Sequence, residues 1–149
     1  MKLSTRSRSA LLAAFSLVFF SGCGEKLPDG PRVPTFPVVG QVLVDGKPAD
    51  YLNVSCEPQF EKPAIVPASA AFTDKEGRFS ISTFERGDGA PAGKYKLTFV
   101  WGQLNMINGQ YTGPDKLNGR YHKPQESQIE VTVSDTRIDL GTIELTSKK

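Results

Sequence analysis

The chain has 149 residues, with 18 Lys and Arg against 16 Asp and Glu, one His and two Cys. Three of the cations, Lys2, Arg6 and Arg8, lie near the N-terminus, so the rest of the chain has 15 basic against 16 acidic residues and a net charge of −1. Such a balance offers no basic face to nucleic acid, one histidine excludes a His-rich metal site, and two cysteines exclude a disulfide framework.

The opening "MKLSTRSRSA" is basic, and "LLAAFSLVFF" (Leu11–Phe20) is almost wholly apolar. A basic region followed by a short apolar run has the form of a secretory signal peptide, here residues 1–22. The run falls short of the roughly 20 apolar residues that span a bilayer. Small residues Ser21 and Gly22 precede Cys23. The stretch Phe20-Ser21-Gly22-Cys23 resembles the lipobox of bacterial lipoproteins, with Phe20 where leucine is usual. The resemblance implies cleavage before Cys23, a diacylglycerol thioether on its thiol and a palmitate-type acyl chain on its amine. One acyl chain holds a protein marginally and two hold it stably, at about 0.8 kcal/mol per buried methylene. Gly24, where aspartate would mark inner-membrane retention, points to the outer membrane of a two-membrane cell, on its periplasmic or surface side. The expected address is thus the cell envelope, with the membrane as a partner through Cys23. An ordinary signal peptide is the alternative, and it would leave Cys23 able to pair with Cys56.

Residues 23–37 read as a tether. Pro28, Pro31, Pro34 and Pro37 recur every third residue. That is the repeat of a polyproline II helix, a semi-rigid spacer of about 3.1 Å per residue. From residue 38 to 149 the signals are β. "VVGQVLV" (Val38–Val44) meets the turn signal Asp45-Gly46. Leu52–Pro58 alternates, which turns Cys56 inward, where an unpaired cysteine usually sits. Ala68–Thr73 and Arg78–Thr83 flank "DKEG", in which Asp74 is suited to bond the turn's own amides. In Lys94–Trp101, Tyr95, Leu97, Phe99 and Trp101 face one way and Lys94, Lys96 and Thr98 the other. Gln128–Val133 and Ile138–Leu145 complete the set. Seven short strands with turn clusters between them predict an all-β, roughly seven-stranded, immunoglobulin-like or prealbumin-like sandwich in one domain, expected to be monomeric.

Three stretches, "GQVLVDGKPADYLNVSCEP", "AAFTDKEGRFSIST" and "GAPAGKYKLTFV", stand in the order and spacing of the carboxypeptidase regulatory-like domain, which they resemble. That domain belongs to the transthyretin-like sandwich group. "DKLNGRYHKPQESQIEVTV" is similar to the tail of envelope lipoproteins made of this domain alone. The resemblance implies a scaffold and no catalysis. The transthyretin-like group also holds hydroxyisourate hydrolases, which use several histidines and a C-terminal tyrosine-arginine-glycine-serine motif. This chain ends "TIELTSKK", so that activity is not carried over.

Candidate chemistry is sparse. No G-x-S-x-G elbow occurs, and no cofactor or metal motif. Asp74, Glu76 and Gly77 match half of a calcium loop without its remaining oxygen ligands. Gly102–Glu126 is long for a connection, and long loops carry function disproportionately. Its residues Asn105, Asn108, Tyr111 and Tyr121, with Trp101 at its mouth, suit a neutral glycan or an envelope protein. The alternative is a loop packed down by Leu117 and Tyr121. The reading is therefore a lipid-anchored, non-catalytic binding or structural module. An envelope hydrolase with a site in this loop, and a subunit that lends an edge strand to a larger assembly, are its rivals.

Overall fold

The computed structural model describes residues 32–148 except 106 and 109. The signal peptide, Cys23 and the tether as far as Pro31 lie outside the described residues. The strands are β1 (Thr35–Phe36), β2 (Val38–Val44), β3 (Lys47–Pro48), β4 (Asn53–Pro58), β5 (Ser69–Phe72), β6 (Arg78–Ser80), β7 (Ala90–Pro91), β8 (Gly93–Val100), β9 (Gln103–Leu104), β10 (Tyr111–Thr112), β11 (Glu130–Val133) and β12 (Ile138–Leu145). Among the described residues, one 3-10 turn spans Pro124–Glu126.

The seven expected strands are all present, as β2, β4, β5, β6, β8, β11 and β12. One sheet runs β11-β8-β4-β5 and is antiparallel. The other runs β12-β2-β3, and β6 also pairs with β2. First and last long strands, β2 and β12, lie parallel. Side chains from both sheets meet in one core that includes Val42, Phe79 and Ile143 from one and Val54, Leu97 and Phe99 from the other. This is a two-sheet β-sandwich with inward residues alternating along each strand.

Local chemistry accounts for the joints. Asp45 and Gly46 both take positive φ, 51° and 75°, as the two-residue hairpin between β2 and β3 requires. The Asp74 carboxylate accepts from the amides of Glu76 at 3.0 Å and Arg78 at 2.8 Å, so it closes the β5–β6 turn. The strand expected over Arg78–Thr83 stays with β2 through Ile81, whose amide donates to the Val38 carbonyl at 2.9 Å. Ser82 instead bridges Ala70 of the other sheet, which stitches one corner of the sandwich. Thr98 keeps its place on the outer face yet is buried, its short side chain shaded on an inner strand between β4 and β11.

The folded unit begins before Val38. Thr35 and Phe36 pair with Pro91 and Ala90, so the last residues of the expected tether belong to the sandwich. Pairing also defines two ends. The entering chain, the start of β8 and the end of β4 share one end, since Phe36 pairs Ala90 and Tyr95 pairs Pro58. The β2–β3 turn, the end of β8 and the end of β12 share the other, since Val44 pairs Lys47 and Leu145, and Val100 pairs Asn53.

Candidate functional site

The first part of the Gly102–Glu126 segment occupies the end of the sandwich opposite the entering chain, and from Tyr121, whose carbonyl accepts from the Phe99 amide, it runs back along β8 to place Pro124 and Gln125 beside Glu57 and Lys96. It is not an open loop. Gln103 and Leu104 pair with Thr112 and Tyr111 as a hairpin. Asp115 then closes the excursion. Its Oδ1 accepts from the amides of Trp101 at 2.9 Å and Leu117 at 3.0 Å, and its Oδ2 from Gly119 at 3.0 Å. Lys116 donates its amide to the Trp101 carbonyl at 2.9 Å. One carboxylate thus pins the point where the chain departs to the point where it returns. Leu117 is fully buried beneath it.

Each expected contact residue has a local partner. Asn105 Oδ1 accepts from the amide of Ile107 at 2.9 Å, and Asn108 Oδ1 from that of Gln110 at 3.1 Å. Both side chains shape their own turn, as short amide side chains do. Trp101 is half-buried, and its indole Nε1 donates to the Asp50 carbonyl at 3.0 Å. The Lys116 ammonium sits 4.4 Å from the centre of its ring, a cation–π contact that occupies one face. Tyr121 lays its ring edge-on to Phe99 at 6.4 Å, and its hydroxyl accepts from the Thr146 amide at 3.2 Å. Tyr121 therefore clasps the C-terminal tail to the core.

Tyr111 differs. Its hydroxyl donates to the Tyr51 carbonyl at 2.5 Å, and its ring meets Phe72 edge-on at 5.7 Å. Burial pushes the Tyr111 phenol up to about 12. A Cβ on Gly102 would lie 2.8 Å from this ring, so glycine leaves room for it. Beside it stand Tyr51 at 39% and Phe72 at 46% exposure, and Ile107, at 96%, lies in the turn of the hairpin. Tyr51, Phe72 and Ile107 were not singled out by the sequence. The one available signal was Phe72, a large apolar residue out of step with inward Thr73.

The ionisable side chains described at this end have the following partners. The Asp115 oxygens are engaged by three amides. Asp50 Oδ1 is buried with no partner among the described residues. His122 is exposed, and its Nδ1 contacts the Gly119 carbonyl. Cys56 is buried, and desolvation pushes its thiol up to about 12, far from a usable thiolate. Among the described residues no group of three His, Cys, Asp or Glu side chains is placed to hold a metal.

No family model and no curated protein matches the chain. Among solved structures it is similar to a DUF3823 family protein from Parabacteroides merdae, at 14% identity and a TM-score of 0.38, covering 77% of this chain and 46% of that one. A second DUF3823 protein, from Bacteroides ovatus, matches at 14% identity and a TM-score of 0.37, covering 76% and 44%. The 5-hydroxyisourate hydrolase of Klebsiella pneumoniae matches at 20% identity and a TM-score of 0.39, covering 79% and 93%. The chain spans less than half the length of the two DUF3823 proteins. These likenesses concern the β architecture and say nothing of activity.

Proposed function

We propose that this β-sandwich is a lipid-anchored, non-catalytic module of the bacterial envelope that presents its Tyr51–Phe72–Tyr111 surface to an envelope protein. The observation that carries the reading is the opposition of the two ends. The chain enters beside Phe36, and the aromatic surface lies at the far end, beyond the β2–β3 turn. An acylated Cys23 on a proline-rich tether would leave that surface facing away from the bilayer.

A protein suits the surface better than a glycan does. Lys116 covers a face of Trp101, which removes the flat platform a sugar ring would use. The exposed set mixes an aliphatic tip, Ile107, with Tyr and Phe rings, the composition found at the centre of protein interfaces. An edge-strand role has less support. β12 carries a bulge between Asp139 and Thr142, and Asp139 and Glu144 lie along it, which are the usual devices that blunt an edge. Photo-cross-linking from position 107 in native envelopes, with intact-mass analysis of the mature N-terminus, tests both halves. A discrete protein adduct together with acyl mass on Cys23 is expected. Adducts to glycan alone, or an N-terminus without lipid, would overturn the corresponding half.

A further inference from the structure

The entry end of the sandwich carries an apolar groove of about 390 Å³. Val33, Pro34 and Phe36 form one wall, and Phe60, Pro63 and Val66 the other. At the crest of the second wall, beside Val66, Ile65 is 62% exposed. The crest is held rather than collapsed. Lys62 donates its ammonium to the carbonyls of Val66 at 2.7 Å and Pro67 at 2.8 Å, and the Val66 amide donates to Pro63. The Phe60 ring stands edge-on to Tyr95 at 5.4 Å. Two cations near the groove have partners: Lys62 in those carbonyls, and Arg32 in Glu85 at 2.6 Å.

We infer that this rim, led by Ile65, rests in the interface of the bilayer to which the chain is anchored. The inference rests on the proposed acylation of Cys23. Eight residues lie between Cys23 and Arg32, so nine chain steps hold the groove within about 30 Å of the bilayer at full extension. The chain enters along one wall of the groove, so a tether anchored at Cys23 draws this end, and not the aromatic end, to the lipid. Tethering makes the second contact intramolecular, and a shallow apolar insertion then needs little intrinsic affinity. The acyl chains already anchor the protein stably, and the rim contact adds a fixed orientation to that anchor. Because Lys62 is the one charged residue among the groove's lining, the contact is apolar. It requires no anionic lipid and resists salt.

The test uses the mature acylated chain in vesicles, with one added cysteine labelled by a polarity-sensitive dye. Acylated Cys23 and buried Cys56 stay silent. A dye on Ala64→Cys is expected to be quenched by acyl-chain spin-labelled lipid, equally in phosphatidylcholine and in phosphatidylglycerol-rich vesicles and equally at low and high salt. A dye on Thr112→Cys, on the far hairpin, is expected to remain unquenched. Adding Ile65→Asp to the Ala64→Cys chain should abolish its quenching. No quenching at 64 on a chain with confirmed acyl mass overturns the rim contact and leaves the anchor standing. Absence of acyl mass from the native protein overturns both. Quenching confined to anionic vesicles or low salt means a charge contact, and dye–dye quenching without lipid quenching means a second copy; each overturns the inference.

Discussion

The indole Nε1 of Trp101 donates to the carbonyl of Asp50 at 3.0 Å, joining positions 51 residues apart. Through that bond the end of β8 holds the turn that leads into β4. Trp101→Phe keeps most of the ring and removes the donor. The expected cost is about 0.5–1.5 kcal/mol, read from urea unfolding. A loss of several kcal/mol would mean that the ring's packing, and not the bond, secures the turn. Lys116→Ala is expected to change the fluorescence of Trp101 with little change in stability, since it uncovers a ring face without opening the core.

At the other end, Gly89 shows how the entering chain is fastened. Its φ is +93°, and a Cβ there would lie 1.8 Å from the Phe36 carbonyl oxygen. Backbone against backbone cannot yield as a side chain would. Gly89→Ala should therefore break the β1–β7 pairing and expose the amides of β1 to hydrogen exchange. Gly46, at φ +75° with nothing within 4 Å of a Cβ, is the comparison. Gly46→Ala should cost only the left-handed penalty, about 1–2 kcal/mol, and leave β1 protected.

The long strands were legible because burial writes a period of two. Tyr95, Leu97 and Phe99 alternate with polar neighbours along β8, and all three are buried. Two-residue strands have no period to read. The pairing of Thr35–Phe36 with Ala90–Pro91 arises from tertiary contact alone, so the start of the folded unit was placed at Val38. The far-end segment reads in the sequence as a long connection, either a binding loop or one packed down by Leu117 and Tyr121, and its internal turns are hidden for a related reason. Asp115 organises it through three backbone amides, and nothing in "TGPDKLNG" distinguishes an acid that caps a turn from a solvated one. Tyr51 and Phe72 joined Tyr111 only when the fold brought three separate segments to one end.

Cys56 supplies a pH-dependent prediction. Burial, and secondarily the charge of Glu57, raises its thiol from 9.0 to about 12 in the fold. Burial likewise raises the Tyr95 phenol from 10.0 to about 12. Above pH 9.0 the unfolded chain releases these protons and the folded chain retains them. The folded state then binds more protons, so stability is fully present below the unfolded values and falls as pH rises towards the folded ones. Urea midpoints should decline from neutral to alkaline pH, and Cys56→Ala should flatten the first part of that decline. A thiol reagent should label native Cys56 slowly and unfolded protein quickly.

Asp45 acts at the opposite extreme of pH. The Ser147 hydroxyl at 2.5 Å and the Thr146 hydroxyl at 2.9 Å hold its carboxyl below the usual 3.8. A lowered carboxyl pKa contributes above the unfolded value, and the contribution disappears as pH falls below 3.8 through the folded value. Acid should free the C-terminal tail from the β2–β3 turn, and Asp45→Asn should free it at every pH. Amide exchange at Ser147 reads the change. Because Asp45 is fully exposed, screening by salt should diminish the effect.

The aromatic surface gives the sharpest test of function. Ile107 is almost wholly exposed, so Ile107→Asp should leave folding unchanged. Phe72→Ser removes the ring that meets Tyr111 edge-on. If these side chains form the centre of a protein interface, each substitution should weaken partner binding by roughly 30-fold or more, the scale of a hot-spot loss of about 2 kcal/mol. Lys116→Ala, outside that centre, should change binding little. The opposite pattern would assign the site to the indole face and a glycan: binding strengthened by Lys116→Ala and indifferent to Ile107→Asp, with Trp101 emission responding to neutral sugars. Circular dichroism and urea midpoints of each variant, matched to the parent, separate lost contact from lost fold. A surface that tolerates all three changes without loss of partner would leave Tyr111 a packing residue, its ring seated over Gly102 and its hydroxyl on Tyr51, and would move the search for a partner to another face.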